Sequence, residues 1–319
     1  MSRTLIAVLS LFYASLPFAQ NYPAKPLRMI TPVSAGSAVD TVARVVGQKM
    51  SDSWGQQVVI DNRIGANGII GTEAAAKSPA DGYTIFLGND AMLATNPNLY
   101  SKLPYDPVRD FAPVALAASI PLVLIVHSSM PVKSVKELIA LAKAHPGEIN
   151  YASSGNGSPQ HMPMEMLKAA TGIKLVHVPY KGLIPALNDV VGGQVPLMFA
   201  GMSGALPHIQ SGRLRALAVG GVKRSPALPA VPTVAEAGVA GFNYAAWTGF
   251  LVPAGTPKDI VARLNAEITR ILALPEVRDK LTSLGFELAG GTPDEFGTLI
   301  RTDIERVAKV VRDAGIRVE

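Results

Sequence analysis

The chain has 319 residues, 48% hydrophobic and 17% charged, with a net charge of +5 scattered along its length. That composition excludes a disordered chain and allows about two globular domains. Basic residues do not cluster with aromatics, which argues against a nucleic-acid partner, and the lack of cysteine excludes disulfides, zinc-thiolate sites, thiol nucleophiles and a lipid-bearing N-terminal cysteine.

The first element in chain order reads as a signal peptide over residues 1–19. Arg3 is its only charge, and Leu5 to Leu16 is an apolar run of secretory length, too short to span a bilayer. Ala19 stands just before a cut at Gln20, although Pro17 occupies a place where a small residue is expected. The longest later apolar run, Val114 to Val126, contains Pro121 and is also too short to span. Export of such a chain points to a bacterial periplasm.

Short β-rich runs then alternate with helical periodicity. Strands are expected at 27–32, 57–63 and 83–90, with helices over 38–50 and 72–78. In the first helix Val39, Val42, Ala43, Val46 and Met50 share one face. After a long β-prone run at 114–127 the alternation restarts. Helices are expected at 134–145, 159–171, 185–193 and 203–211, and strands at 149–155, 174–180, 195–201 and 214–221. A proline-rich connection leads to a strand at 247–253. The tail is helical at 257–273, 275–283 and 292–314, with Pro257 and Pro275 in first turns and a Thr292–Glu295 capping box. The alternation predicts parallel sheets with helices on their faces. Two crossings, near 114–126 and 220–252, predict two lobes, with the C-terminal helices returning to the first. The boundaries are 20–120 for the first part of lobe one, 121–223 for lobe two and 224–319 for the return.

In open α/β sheets the ligand crevice lies at the carboxyl ends of the strands. Those ends carry Ser34, Ala35, Gly36 and Ser37 in one lobe and Ser154, Gly155, Asn156, Gly157 and Ser158 in the other. A glycine-bearing turn before a helix can cradle phosphate, a nucleophile or a carboxylate. Neither loop has the glycine and lysine spacing of a nucleotide site, and no nucleophile elbow occurs. No metal motif is present and nothing calls for a cofactor. Hydroxyls and low-bulk backbone before a helix N-terminus suit a carboxylate, one end in each loop. The same residues also serve as ordinary caps and turns.

Several ordered stretches carry a resemblance. They include "AVDTVAR" (38–44), "DNRIGANGIIGTEAAAKSPADGYT" (61–84), "NPNLY" (96–100), "HVPYKG" (177–182), "GRLRALAV" (212–219) and "PAGTPKDIVARLN" (253–265). Together they make the chain resemble the Bug family of periplasmic solute-binding proteins, which serve tripartite tricarboxylate transporters. The resemblance implies a type II periplasmic binding fold: two Rossmann-like lobes joined by two crossover strands, closing on a small organic carboxylate. It implies the membrane components of such a transporter as partners. No catalysis is expected, and the chain is expected to act as a monomer. A solute sensor docking on a membrane receptor is the alternative.

Carried onto this sequence, the resemblance names the two serine-glycine loops, with Asp40 and His161 beside them, and Asn89 and Asp90 on a third rim loop. Tyr180, Gly201 and Trp247 are further candidates; for Asp40 and Trp247 a structural role remains open. Two departures bear on the ligand. Ser37 stands where relatives tend to carry glycine. Ala200 follows Phe199 where relatives often have aspartate, which points to a dicarboxylate or aromatic acid in place of an amino acid.

Overall fold

The computed structural model describes residues 22–313, 315 and 316. The signal-peptide reading at 1–19 lies outside the described residues. The strands in chain order are β1 (Leu27–Thr31), β2 (Val58–Asn62), β3 (Thr84–Asn89), β4 (Phe111–Ile120), β5 (Leu122–His127), β6 (Asn150–Ser153), β7 (Val176–Pro179), β8 (Leu197–Gly201), β9 (Leu214–Val219), β10 (Ala246–Pro253) and β11 (Glu287–Gly290). They form two sheets, ordered β11-β4-β10-β3-β1-β2 and β7-β6-β8-β5-β9.

The sheets are mixed, which corrects the expectation of parallel sheets. β1 is parallel to β2 and β3, and β6 is parallel to β7 and β8. The crossing strands run the other way: β10 is antiparallel to β3 and β4, and β5 to β8 and β9. Each of these strands enters its sheet from the opposite lobe, so its direction follows from the crossing and not from a βαβ turn. The single β-prone run at 114–127 is likewise two strands. Pro121 has no N–H to donate and separates them, so that each joins a different sheet.

The helices are α1 (Ala38–Trp54), α2 (Ile69–Ala76), α3 (Asn96–Leu99), α4 (Val135–Ala144), α5 (His161–Thr171), α6 (Leu183–Val191), α7 (Met202–Gln210), α8 (Lys258–Ala273), α9 (Pro275–Ser283) and α10 (Pro293–Asp313). In α1 the buried face contains the five expected residues. Ser37 caps its start by accepting from Asp40 N at 3.4 Å, and Gly55 ends it at φ 64°. α10 opens with the expected capping box: Thr292 N donates to Glu295 Oε2 at 2.8 Å, and Glu295 N returns to Thr292 Oγ1 at 3.2 Å. Pro275 is in the first turn of α9, but Pro257 sits one residue ahead of α8, as its cap. α8 and α10 pack on β4, in the first sheet. The four-residue β11, a π-helical turn at Ala91–Thr95 and α3 were not expected from the sequence.

The two crossings run side by side. Gly220 N donates to Leu122 O at 2.8 Å, and Tyr244 N donates to Gly220 O at 2.8 Å. A Cβ on Gly220 would lie 2.7 Å from Tyr244 O, a backbone atom that cannot turn aside. We expect Gly220→Ala to lower unfolding stability by about 1–3 kcal/mol in urea titration, the usual cost of overpacking.

Candidate functional site

Each cradle follows the last residue of a strand that lies one in from the edge of its sheet. β1 leads through residues 32–37 into α1, and β6 leads through 154–160 into α5. In both, a glycine N–H is taken by a side chain four residues further on, in the following helix. Gly36 N donates to Asp40 Oδ2 at 2.8 Å, and Gly157 N donates to His161 Nδ1 at 3.1 Å. Both glycines have positive φ, 81° and 72°, so a glycine suits each turn.

Asp40 is buried and fully engaged. Arg44 Nε donates to its Oδ2 and Asn62 Nδ2 to its Oδ1, each at 2.8 Å. Asn62 Nδ2 also reaches Val33 O at 3.0 Å, so one amide ties the cradle to the helix. Burial pushes the Asp40 carboxyl up, but the bonds from Arg44, Asn62 and Gly36 outweigh it and hold the group below its ordinary range.

In the second lobe an aromatic group supports the loop, with Tyr151 and His161 buried and His177 half-buried. His161 and His177 lie 4.2 Å apart between ring centroids, and Tyr151 stacks on His177 at 4.9 Å. Ser153 Oγ lies 2.6 Å from His177 Nε2 and accepts from Gly155 N at 3.0 Å. Glu165 accepts from Tyr151 and from Lys168 at 2.7 Å. Burial lowers both histidines to about 4; Lys168 adds to this, as does His161 for His177, while Glu165 opposes it. Both rings are therefore neutral near pH 7, as His161 Nδ1 must be to accept from Gly157.

Between the cradles lies a cavity of about 570 Å³. Of the expected residues, Ser34, Ser37, Asn89, Ser154, Gly155, Asn156, Tyr180 and Gly201 line it. The others stand around it. Ala35 and Gly36 complete the first turn, Asp40 lies behind it, and Gly157, Ser158 and His161 hold the second. Ser158 Oγ accepts from His161 N at 3.3 Å. Asp90 is buried behind Asn89 and accepts from Tyr244 OH at 2.7 Å; burial raises it to about 7. Ala200 is buried in the core of the second lobe and does not reach the cavity. Trp247 faces the opposite side of β10 from the cavity-lining Ala246. Its Nε1 donates to Asp303 Oδ2 at 2.9 Å and its ring meets Phe296 edge-on.

Tyr180 OH donates to Asp189 Oδ2 at 2.6 Å, so its hydroxyl proton is already committed. Asn89 Oδ1 accepts from Ala91 N and Met92 N, which turns its amide NH₂ the other way. Sequence reasoning missed the turn Gly65–Gly68, with successive φ values of 128°, 47°, 50° and 83°, and also Met92, Tyr100 and Gln160. The Gly-Ala-Asn-Gly spelling was the available signal, since Gly and Asn tolerate left-handed backbone. Among the described residues, no group of three or more His, Asp or Glu could hold a metal ion.

Two mixed α/β lobes around a hydroxyl-rich cleft define a solute-binding protein. The model of the tripartite tricarboxylate transporter family receptor, TctC, matches residues 42–316, and the chain belongs to that family. BugT of Bordetella pertussis is 39% identical over 321 residues, covering 99% of this chain and 98% of its own. A structure of Rhodopseudomonas palustris Rpa4515 with adipate aligns at TM-score 0.90 and 38% identity, covering 93% of this chain and 99% of that one. Another, MatC of the same organism with bound malate, aligns at TM-score 0.86 and 33% identity, covering 91% and 100%.

We expect Asp40→Ala to cost about 1–3 kcal/mol in urea unfolding, because it strands the Gly36 and Asn62 donors. The histidines set a separate pH dependence. Unfolded, they take up protons as pH falls through about 6.5; folded, only near 4. Their contribution is complete above pH 6.5 and is lost as pH falls toward 4. His177→Gln should flatten the slope of the urea midpoint across that window.

Proposed function

We propose that the protein is a periplasmic receptor that closes two lobes on a small organic carboxylate, for a tripartite tricarboxylate transporter. The chemistry of the cavity wall carries this reading. Among the described residues that line it, Lys181 is the one charged side chain, and no Asp or Glu is present. A carboxylate needs donors, and the wall offers the Asn89 amide, the Ser34 and Ser37 hydroxyls and Lys181, whereas the Ser154 hydroxyl already donates to Gln160 Oε1 at 2.6 Å. A ligand ammonium would find no carboxylate to pair with. The absence of a lining carboxylate supports the inference first drawn from Ala200 on independent ground.

Between the two cradles the wall is apolar, with Val39, Ile64, Met92, Ile120, Leu122 and Leu183. Such a wall suits a methylene or aromatic spacer between two carboxylates. The adipate-bound relative supports this choice. In this reading residues 34–37 hold one carboxylate and 154–158 the other, with Asp40 and His161 supporting them. Residues 20–120 and 224–319 move as one lobe against 121–223, the protein acts as a monomer, and the leader at 1–19 is removed on export. Ligand binding shifts the population toward the closed state, and no chemical step on the ligand is involved.

Calorimetric titration with adipate, succinate, terephthalate, aspartate and glutamate tests the reading. We expect one or more diacids to bind at least about a hundredfold tighter than either amino acid, a difference near 2.7 kcal/mol. Tight binding of the amino acids alone would sink it.

A further inference from the structure

Two glycines of the second lobe mark where the lobes touch. A Cβ on Gly157 would lie 2.4 Å from Leu99 Cδ1, 3.3 Å from Asn67 Nδ2 and 3.5 Å from Thr95 Cγ2. All three neighbours belong to the first lobe: Leu99 ends α3, Asn67 sits in the left-handed turn and Thr95 in the π-helical turn. Elsewhere on the cleft a Cβ on Gly182 would lie 3.3 Å from Ser34 Oγ. Asn67, Gly182 and Ser34 all line the cavity. The lobes are therefore in contact at two places on its rim, as in a closed cleft.

Little around Gly157 can retreat. Its own N–H is held by His161 Nδ1. Asn67 Nδ2 donates to Asn96 Oδ1 at 2.8 Å, and Asn96 Nδ2 donates to Asn67 O at 3.1 Å and to Tyr105 OH at 3.2 Å. Tyr105 OH is fixed in turn, donating to Met92 O at 2.8 Å. Thr95 is buried. Leu99 is half-buried and is the one soft partner.

We propose that Gly157 sets how far the lobes close: lacking a side chain, the second cradle seats against Leu99 and Asn67, and grip on a shared ligand depends on that seat. The ligand side of this inference rests on the carboxylate-binding reading, whereas the seat is a property of the protein alone. A Cβ at 157 wedges the cradles apart, and hydrogen bonds to a ligand spanning both weaken as their lengths grow. The rival explanation is backbone strain. An alanine at φ 72° is strained whether the lobes are open or closed, so strain alone lowers unfolding stability and leaves affinity unchanged.

A double-mutant cycle read by adipate calorimetry separates the two. Gly157→Ala should weaken binding at least about tenfold, within the usual cost of overpacking. In a Leu99→Ala background the same change should cost less than about threefold. Wild-type affinity in Gly157→Ala, or an undiminished loss in the Leu99→Ala background, overturns the proposal. A second variant needs no ligand. The chain has no cysteine of its own, so Gly157→Cys with Leu99→Cys should cross-link the lobes under mild oxidation, faster with adipate present. Failure to cross-link overturns the seat. If the wild-type protein binds no acid of the panel, the carboxylate reading fails, and cross-linking alone decides the seat.

Discussion

The two backbone hydrogen bonds at the crossing, Gly220 N to Leu122 O and Tyr244 N to Gly220 O, are the constraint on which the rest of the structure depends. They hold three passes of chain side by side where the first sheet gives way to the second. Pro121 lets β4 and β5 belong to different sheets, and the close approach of Tyr244 to Gly220 leaves no room for a side chain. The crossing is also coupled to the cleft. Tyr244 reaches Asp90 through its hydroxyl, and Asp90 follows Asn89, whose side chain lines the cavity. The crossing thus stands one hydrogen bond and one residue away from the floor of the site.

The cradles repeat one device with different chemistry. In each, a glycine amide is withdrawn from the cleft by a side chain one helical turn ahead, a carboxylate in one lobe and a neutral imidazole in the other. The glycines fix the shape of the loops, and other groups are left to meet a ligand. Ionisable groups do this work from behind: Asp40 with Arg44, and the histidine pair above Glu165 and Lys168. Apart from Lys181 the cavity keeps a wall of neutral donors, and Asp40 and the Glu165–Lys168 pair that support the cradles do not line it.

Much of this was legible in the sequence because it is local. The α1 face and the Thr292–Glu295 box depend on residues a few positions apart, and each appears at its expected place. Strand direction was not legible, since it depends on which sheet a returning chain joins. Nor was the face of a strand. Neighbouring strand residues point to opposite sides, so Ala246 and not Trp247 lines the cavity, and Gly201 does so beside a buried Ala200. The left-handed turn at 65–68 was hidden for another reason. It is held by Asn96, 29 residues from Asn67, and no local pattern shows that partner.

Met92 gives the cavity a property that its pinned rims lack. It packs over Gly68, where a Cβ would stand 2.1 Å from its terminal methyl, and it lines the space between the cradles. A thioether chain is unbranched, polarisable and able to refill a gap of changed outline. The ends of the site are thus rigid and its middle is compliant. Selection under those conditions acts on the separation and charge of a ligand's termini, while the bulk between them is free to vary. A cleft built this way tolerates a change in the middle of a ligand better than a change at its ends.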